Sequence, residues 1–376
     1  MEFIIDHECF TKAISDVNKA VSSKTPFPIL SGIKIIAAHN GLILIGSNSD
    51  IAIERVIPLT SNGVTVLEVY ETGSVVISAK YLYEIVKKLP AKVHIRVNEK
   101  QFVTIQSDEI VTNLYGFHSE EYPNLPQIDD AHFTKISSIE FIEIIKQTAF
   151  AVSKSESRPV LTGVYMSFND NRLTCISTNS QRLALRETAL ESSINGSFIV
   201  PSTSLNELTK LLNNESGVIH IFVTDSYMVF KSNSISLFSR LIEGNYPNIS
   251  GLLPTNPKTI ITVDTNQLLM GIDRACLFAS EWKHNNVHLE INNNGTRLKI
   301  FSNSSEIGRI EETQPIKTII GETDLRISLD GNYLIDALKV IKDEEIRLSF
   351  GGAMRPVLIE PIDHSSYLHL ISPVRS

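Results

Sequence analysis

Apolar and polar residues switch between two periods along this chain, and the switches come in the same order three times. Stretches near His7 to Val21, Ile139 to Val152 and Thr265 to Ala279 place apolar residues three and four apart, the spacing of a helix with one buried stripe. Leu42 to Asp50, Leu173 to Gln181 and Leu298 to Glu306 alternate apolar with polar and end in a small polar cluster, which predicts strands with one buried face. A third kind of segment opens as a strand and turns helical. Gly73 to Ile77 runs into Tyr81 to Leu89, Gly196 to Val200 runs into Leu205 to Leu212, and a further version spans Leu325 to Ile341.

The recurrence extends to individual residues. An offset of 131 carries Pro28-Ile29-Leu30-Ser31-Gly32-Ile33 onto Pro159-Val160-Leu161-Thr162-Gly163-Val164, and also Leu42 onto Leu173. Each later helix has an acid two residues after a leucine and a lysine three beyond it: Leu82, Glu84 and Lys87; Leu205, Glu207 and Lys210; Leu334, Asp336 and Lys339. Two repeats close on related phrases, Glu121-Tyr122-Pro123-Asn124-Leu125 and Asn245-Tyr246-Pro247-Asn248-Ile249, whose prolines mark them as linkers. A unit of about 125 residues is large enough to fold alone, so the pattern predicts three tandem domains, 1–128, 129–254 and 255–376, rather than a solenoid.

Composition narrows the classes. At 376 residues, 42% hydrophobic and 20% charged, the chain can fill several cores. A net charge of −8 argues against a generally basic surface, so contact with nucleic acid needs a local patch. Cys9, Cys175 and Cys276 have no CxxC spacing and fit a reducing compartment. An acid at Glu2 precedes any long apolar run, and no stretch is long enough to span a membrane, which predicts a cytoplasmic protein.

Catalytic constellations fail one by one. Ser31-Gly32-Ile33-Lys34 fits the SxxK pattern of serine acyltransferases, but that motif opens a helix and needs a KTG partner that this chain lacks. His284 and His288 have the spacing of a helical metal pair, yet Asn285-Asn286 between them reads as a turn. GxSxG, GxxxxGK and GxGxxG are absent, so no catalytic residue, metal or cofactor is assigned.

The chain resembles, from end to end, the beta subunit of bacterial DNA polymerase III, the sliding clamp family. The phrases that carry the resemblance are Phe27 to Ile35, Arg158 to Val164, Thr178-Asn179-Ser180-Gln181-Arg182-Leu183-Ala184, Gly244-Asn245-Tyr246-Pro247 and the tail Pro373-Val374-Arg375. It implies an α+β fold of three tandem DNA-clamp domains, helices inside and sheets outside, in a head-to-tail dimeric ring without catalytic activity. The implied partners are double-stranded DNA of any sequence, the DNA polymerase III catalytic subunit, the clamp loader and other proteins carrying clamp-binding motifs, with no membrane contact.

Under this resemblance, inner-helix cations would touch phosphates: Lys12, Lys19, Lys80, Lys87, Lys146, Lys210, Arg274, Lys339 and Lys342. Lys24 and Lys154 would reach DNA from loops, while Ser202-Thr203 is neutral where the family often has a basic residue. A groove for apolar peptides would have a floor of Leu161, Leu183, Pro247, Leu252, Met354, Pro356, Leu370 and Val374, edged by Thr178, Arg182 and Tyr333. Asn179 and Gln181 stand where the family usually has Asp and His, and Ser372 stands where it has an apolar residue. The dimer seam would pair about Glu109 to Gly116 with Arg297 to Asn303 of another subunit, with Leu277 and Phe278 as apolar filling. Three alternatives remain open: a specialised paralogous clamp with altered partner preference, a three-domain interaction scaffold that does not encircle DNA, and a nuclease or transferase whose acids converge only in the fold. Mass in solution with retention on circular DNA separates the scaffold; an assay with and without magnesium separates the enzyme.

Overall fold

The computed structural model describes residues 1–22, 25–129, 132–212, 217–249, 251–254, 256–279, 286–291, 295–304, 308–362 and 366–374. Each repeat contributes two helices: α1 (His7–Asn18) and α2 (Ala79–Val86), α3 (Ser138–Thr148) and α4 (Ser202–Leu212), α5 (Thr265–Cys276) and α6 (Gly331–Lys339). Local chemistry starts several of them. Asp6 accepts from the Cys9 N–H at 2.9 Å and Asp264 from the Gln267 N–H at 2.8 Å, so the first helices of repeats one and three share an aspartate cap. Asp330 caps α6 in the same way through the N–H groups of Asn332 and Tyr333. In α1 the buried residues Phe10, Ala13, Ile14 and Val17 realise the apolar stripe read from the sequence.

The chain forms two compact units, and they do not coincide with the repeats. One comprises Met1–Ile139 and Glu207–Leu241, the other Glu140–Asn206 and Ile242–Ser376. The first holds a sheet of eight strands and one of five; the second holds one of nine and one of four. In the eight-stranded sheet, Ile51–Pro58 of the first repeat runs antiparallel to Ile235–Arg240 of the second, with Ala52 opposite Phe238. In the nine-stranded sheet, Arg182–Ala189 of the second repeat pairs with Tyr367–Ile371 of the third, with Leu183 opposite Leu370. Strand pairing therefore carries each long sheet continuously from one repeat into the next.

Two sequence expectations change. Gly41–Ser47 was expected to bury one face, but all its side chains except Ile43 are buried, because Tyr122 and Leu30 pack with Ile45 and Val76 over the second face. Tyr122 is 2% exposed and its hydroxyl donates to the Ile45 carbonyl at 3.4 Å, so its proline phrase is a wedge as well as a connector. Tyr246 is the corresponding wedge of the second unit, packed against Ile176, Leu183, Leu358 and Leu370. One glycine is required by close approach: a Cβ on Gly46 would lie 2.1 Å from the Val17 carbonyl oxygen. At the equivalent position of the second repeat, the Ser177 hydroxyl donates to the Thr148 carbonyl, so the first two repeats join this strand to their first helix differently.

Candidate partner and nucleic-acid surfaces

The residues proposed for a peptide groove all lie in the second unit, but they fall into separate groups. Leu183 and Leu370 face each other across adjacent strands and form one apolar cluster with Ile176 and Leu358. Half-buried Tyr165, Leu185, Tyr246, Ile249 and Leu368 pack against that cluster, and the sequence reading missed them. Strand alternation offered a signal for some: Leu183 and Leu185 share a face, as do Leu368 and Leu370. Leu252 and Pro356 line a separate cavity of about 390 Å3. Leu161 is buried in its own turn, Pro247 and Met354 are exposed, and half-buried Val374 donates its N–H to the Ser328 carbonyl at 2.9 Å.

The polar edge is more highly organised than the residue types suggest. Thr178 donates its hydroxyl to the Arg182 carbonyl at 2.6 Å, while the Asn179 side-chain oxygen accepts from the N–H groups of Gln181 and Arg182, both at 3.0 Å. An aspartate could make the same turn, so Asn179 preserves local geometry. The Tyr333 hydroxyl donates to Gln181 Oε1 at 2.7 Å and receives from Asn179 Nδ2 at 3.2 Å. Gln181 also accepts the Ser372 N–H on its backbone oxygen at 2.8 Å, tying the tail to this edge.

Arg182 is the hub of that edge. Its guanidinium meets Asp336 Oδ2 at 2.6 Å, donates to the Phe150 carbonyl at 2.5 Å, and lies 4.5 Å from the Tyr333 ring centroid and 5.2 Å from that of Phe150. Beneath it, His369 is fully buried with neither ring nitrogen hydrogen-bonded. Burial, followed by the charge of Arg182, pushes the His369 imidazole down to about 3, so it is neutral in the folded protein. The unfolded chain therefore binds one proton more than the folded chain between about pH 6.5 and 3. Stability from this group is fully present above pH 6.5 and declines by about 1.4 kcal/mol per pH unit below it. Urea unfolding of His369→Leu between pH 7 and 4 is expected to lose that component of the slope; an unchanged slope would reject the assignment.

The candidate DNA cations divide by what holds them. Arg274 is gripped bidentately by Glu312 at 2.7 and 2.9 Å, a fork that also holds the Glu312 carboxyl below the usual carboxylate range. Lys19 is paired with Asp16, Lys210 with Glu207 and Lys342 with Glu143, at 3.2, 2.7 and 2.8 Å. Lys12 is half-buried on α1 and has a partner of its own. Lys80 and Lys87 lie 5.7 and 5.6 Å from the ring centroids of Tyr81 and Tyr83. Exposed Lys146, Lys154 and Lys339 make no ion pair among the described residues; Lys24 lies outside them.

The repeated acid and lysine pattern therefore has three different outcomes. Glu84 reaches Lys88 rather than Lys87, Glu207 takes Lys210, and Asp336 takes Arg182, leaving Lys339 without an ion pair among the described residues. Two of the acids pair with a lysine three or four residues along, whereas Asp336 is taken by Arg182 from a strand 154 positions away.

The seam expectation needs one correction. Ile110–Tyr115 is an edge strand of the five-stranded sheet, and Ile110, Val111 and Tyr115 are 44%, 54% and 83% exposed. Arg297–Ser304 is not an edge: Gly308–Pro315 folds back beside it, pairing from Arg297 opposite Pro315 to Ser304 opposite Gly308, and forms the outer strand of the four-stranded sheet. Leu277 caps α5 with 71% exposure, and Phe278 follows half-buried.

The enzyme-like signals have structural roles. Ser31 ends a short turn, its hydroxyl donating to the Pro28 carbonyl, and Lys34 lies in a strand 5.9 Å from the Tyr122 ring centroid. Asn286 opens a strand instead of completing a turn, and His288 Nδ1 is hydrogen-bonded to the Ser328 hydroxyl at 2.7 Å. His284 lies outside the described residues. Burial pushes the Cys175 thiol up to about 12, which suits an inert core residue. Among the described residues no three His, Cys, Asp or Glu side chains cluster as a metal site, and no helix is long and apolar enough to cross a membrane.

Comparison with known proteins gives the same organisation. Models of the DNA polymerase III beta subunit match in series: the N-terminal domain at 1–126, the central domain at 135–248 and the C-terminal domain at 250–375. The beta sliding clamps of Bacillus subtilis and Halalkalibacterium halodurans are 42% and 41% identical, each alignment covering 100% of both chains. A crystal structure of the Bacillus subtilis DNA polymerase sliding clamp superposes with a TM-score of 0.97 at 41% identity, covering 100% of this chain and 99% of that one. The Streptococcus pneumoniae DNA polymerase III beta chain superposes with a TM-score of 0.94 at 33% identity, covering 100% of both chains. Three successive domain matches and full-length relatives together establish that this chain belongs to the DNA polymerase III beta subunit family.

Proposed function

We propose that the chain is a non-catalytic DNA sliding clamp: two copies close head to tail around duplex DNA and hold a DNA polymerase to its template. The observation that carries this reading is the pattern of strand edges. Each repeat ends its first strand group in one edge and its second in another. The first repeat's Ile51–Pro58 joins the second's Ile235–Arg240, and the second's Arg182–Ala189 joins the third's Tyr367–Ile371. That succession leaves Gly308–Pro315 of the third repeat and Ile110–Tyr115 of the first as uncovered strands. Joined between two chains, they make a heterologous contact that closes into a ring.

Repeat equivalence also proposes the register. The internal pairings Arg182 with Ile371 and Ile51 with Ser239 correspond to Gly308 opposite Leu114, Ile310 opposite Thr112, and Glu312 opposite Ile110 across the seam. Leu277 and Phe278 are the proposed apolar filling beside it. The three clamp domains are 1–128, 129–254 and 255–376, and the proposed setting is the cytoplasm.

Under this reading, Lys80, Lys87, Lys146, Lys154 and Lys339 carry most of the phosphate contact, because the other described candidates already have partners. Lys24, outside the described residues, is a further proposed contact. The Leu183 and Leu370 cluster, with Arg182 and Tyr333 at its edge, receives apolar peptides from the polymerase catalytic subunit, the clamp loader and other partners.

Two assays test the proposal. Protein placed on a nicked circular plasmid by a clamp loader is expected to remain through gel filtration and to leave when the plasmid is cut. Equal retention on linear DNA rejects encirclement. A labelled clamp-binding peptide is expected to bind the parent protein and to lose affinity at least about tenfold with Leu183→Asp. No binding, or binding unchanged by that substitution, rejects the groove.

A further inference from the structure

The first unit contains a cavity of about 330 Å3 that the proposed function leaves unused. Its position follows from the repeat. Ala52 and Phe238 face each other in the first unit as Leu183 and Leu370 do in the second. The next strand repeats the relation, with Val229 opposite Phe238 and Leu358 opposite Leu370. The chain has built the same strand junction twice, with a wall of different chemistry at each.

The differences are directional. Ala52 stands where the other junction has Leu183, which empties the floor, and the Leu125 side chain of the proline phrase packs over part of the space left. Phe27, Tyr227 and Phe238 line the remainder, and Phe27 is 59% exposed. At the mouth stands exposed Arg240, in the position equivalent to Ser372. Its guanidinium makes no ion pair among the described residues. Asp50 stands beside it, its backbone oxygen accepting the Arg240 N–H at 2.8 Å and its carboxylate likewise unpaired among the described residues.

We propose that this cavity is a second docking groove on each chain, taking an extended peptide with an aromatic or aliphatic anchor followed by an acidic residue. The anchor enters between the three aromatic rings, where an apolar side chain is withdrawn from water on several sides. The peptide carboxylate meets the Arg240 guanidinium, which is suited to bind it through two parallel hydrogen bonds. The Asp50 carboxylate accepts from the peptide's backbone N–H groups, as an unpaired acceptor at the edge of an apolar groove can. The peptide class rests on reading the second unit's equivalent cluster as a peptide groove. Preference diverges because Leu183, Leu370 and Ser372 at one junction are replaced by Ala52, Phe238 and Arg240 at the other.

The test uses the full chain and a fluorescein-labelled probe peptide, Gly-Ser-Leu-Phe-Asp-Ser-Gly, followed by fluorescence anisotropy. To remove competition from the second unit, the titration is run on Leu183→Asp, the substitution placed in the middle of that unit's apolar cluster. The probe is expected to bind that background and to lose at least about tenfold in affinity when Phe27→Asp and Arg240→Glu are added, a hot-spot effect read at surface positions that leave the core intact. Arg240→Lys alone is expected to give a smaller loss, because a point charge replaces the planar fork. Failure of the probe to bind the background, or binding indifferent to Phe27→Asp and Arg240→Glu, overturns the proposal. The separate titration with the clamp-binding peptide reports on the second unit, so failure of one groove is distinguishable from failure of the other.

Discussion

Ile110→Asp is expected to convert the protein from a dimer to single chains, with the dissociation constant rising on the order of 100-fold or more. The substitution acts in two ways. It removes an apolar side chain from the start of the uncovered Ile110–Tyr115 strand, and in the proposed register it sets a new carboxylate opposite Glu312 of the other subunit. Like charges opposed across paired strands are destabilising, and here the alternative is open solvent. The chain itself should remain folded, since Ile110 is 44% exposed and its strand is anchored on one side by Phe102–Ser107. Light scattering across a dilution series measures the change, and retention on circular DNA should fall with it. A variant that dimerises at the same concentration as its parent removes the seam from this strand.

Arg182→Ala should produce the largest loss confined to one chain. Its side chain is 7% exposed and joins Asp336 on α6, the Phe150 carbonyl and the rings of Phe150 and Tyr333. Removing one partner of a buried ion pair typically costs about 3–5 kcal/mol because the other charge is stranded. Asp336 is 44% exposed and regains water, so the expected destabilisation is smaller, about 2–3 kcal/mol in urea unfolding. Tyr333 would lose its stacking partner while keeping Gln181, and binding of the clamp-binding peptide should weaken at least about tenfold. Asp336→Asn, which leaves the cation–π contacts in place, should lose less in both measurements. Equal losses in the two variants would place the effect in the ion pair alone; no loss in Arg182→Ala would reject its role as the hub.

These two sites differ in how far they were legible beforehand. Leu183 and Leu370 were placed on an apolar floor by the resemblance to the clamp family, and alternation along their strands is compatible with it, since residues two apart share a face. Tyr165, Tyr246 and Ile249 could not be placed there, because their assembly depends on a proline phrase folding back over the sheet, and nothing local determines where a connecting segment lands. The outer strand of the third repeat was likewise misplaced by one strand. Arg297 to Asn303 alternates as an edge strand would, and only the return of Gly308–Pro315 beside it shows that it is covered.

By itself, the sequence determined the three repeats, the alternation of helix and strand within each, and the absence of any complete catalytic motif. Those features rest on interactions within a few residues or on a period along the chain. Tertiary structure alone decided that the middle repeat is divided between two compact units, and that Glu84, Glu207 and Asp336 take three different partners from one repeated phrase. It also decided that Leu183, Leu370 and Ser372 at one junction correspond to Ala52, Phe238 and Arg240 at the other. The physical reason is that strand pairing, and the contact of Asp336 with Arg182, join residues more than a hundred positions apart, and no period along the chain records which strand will lie beside which.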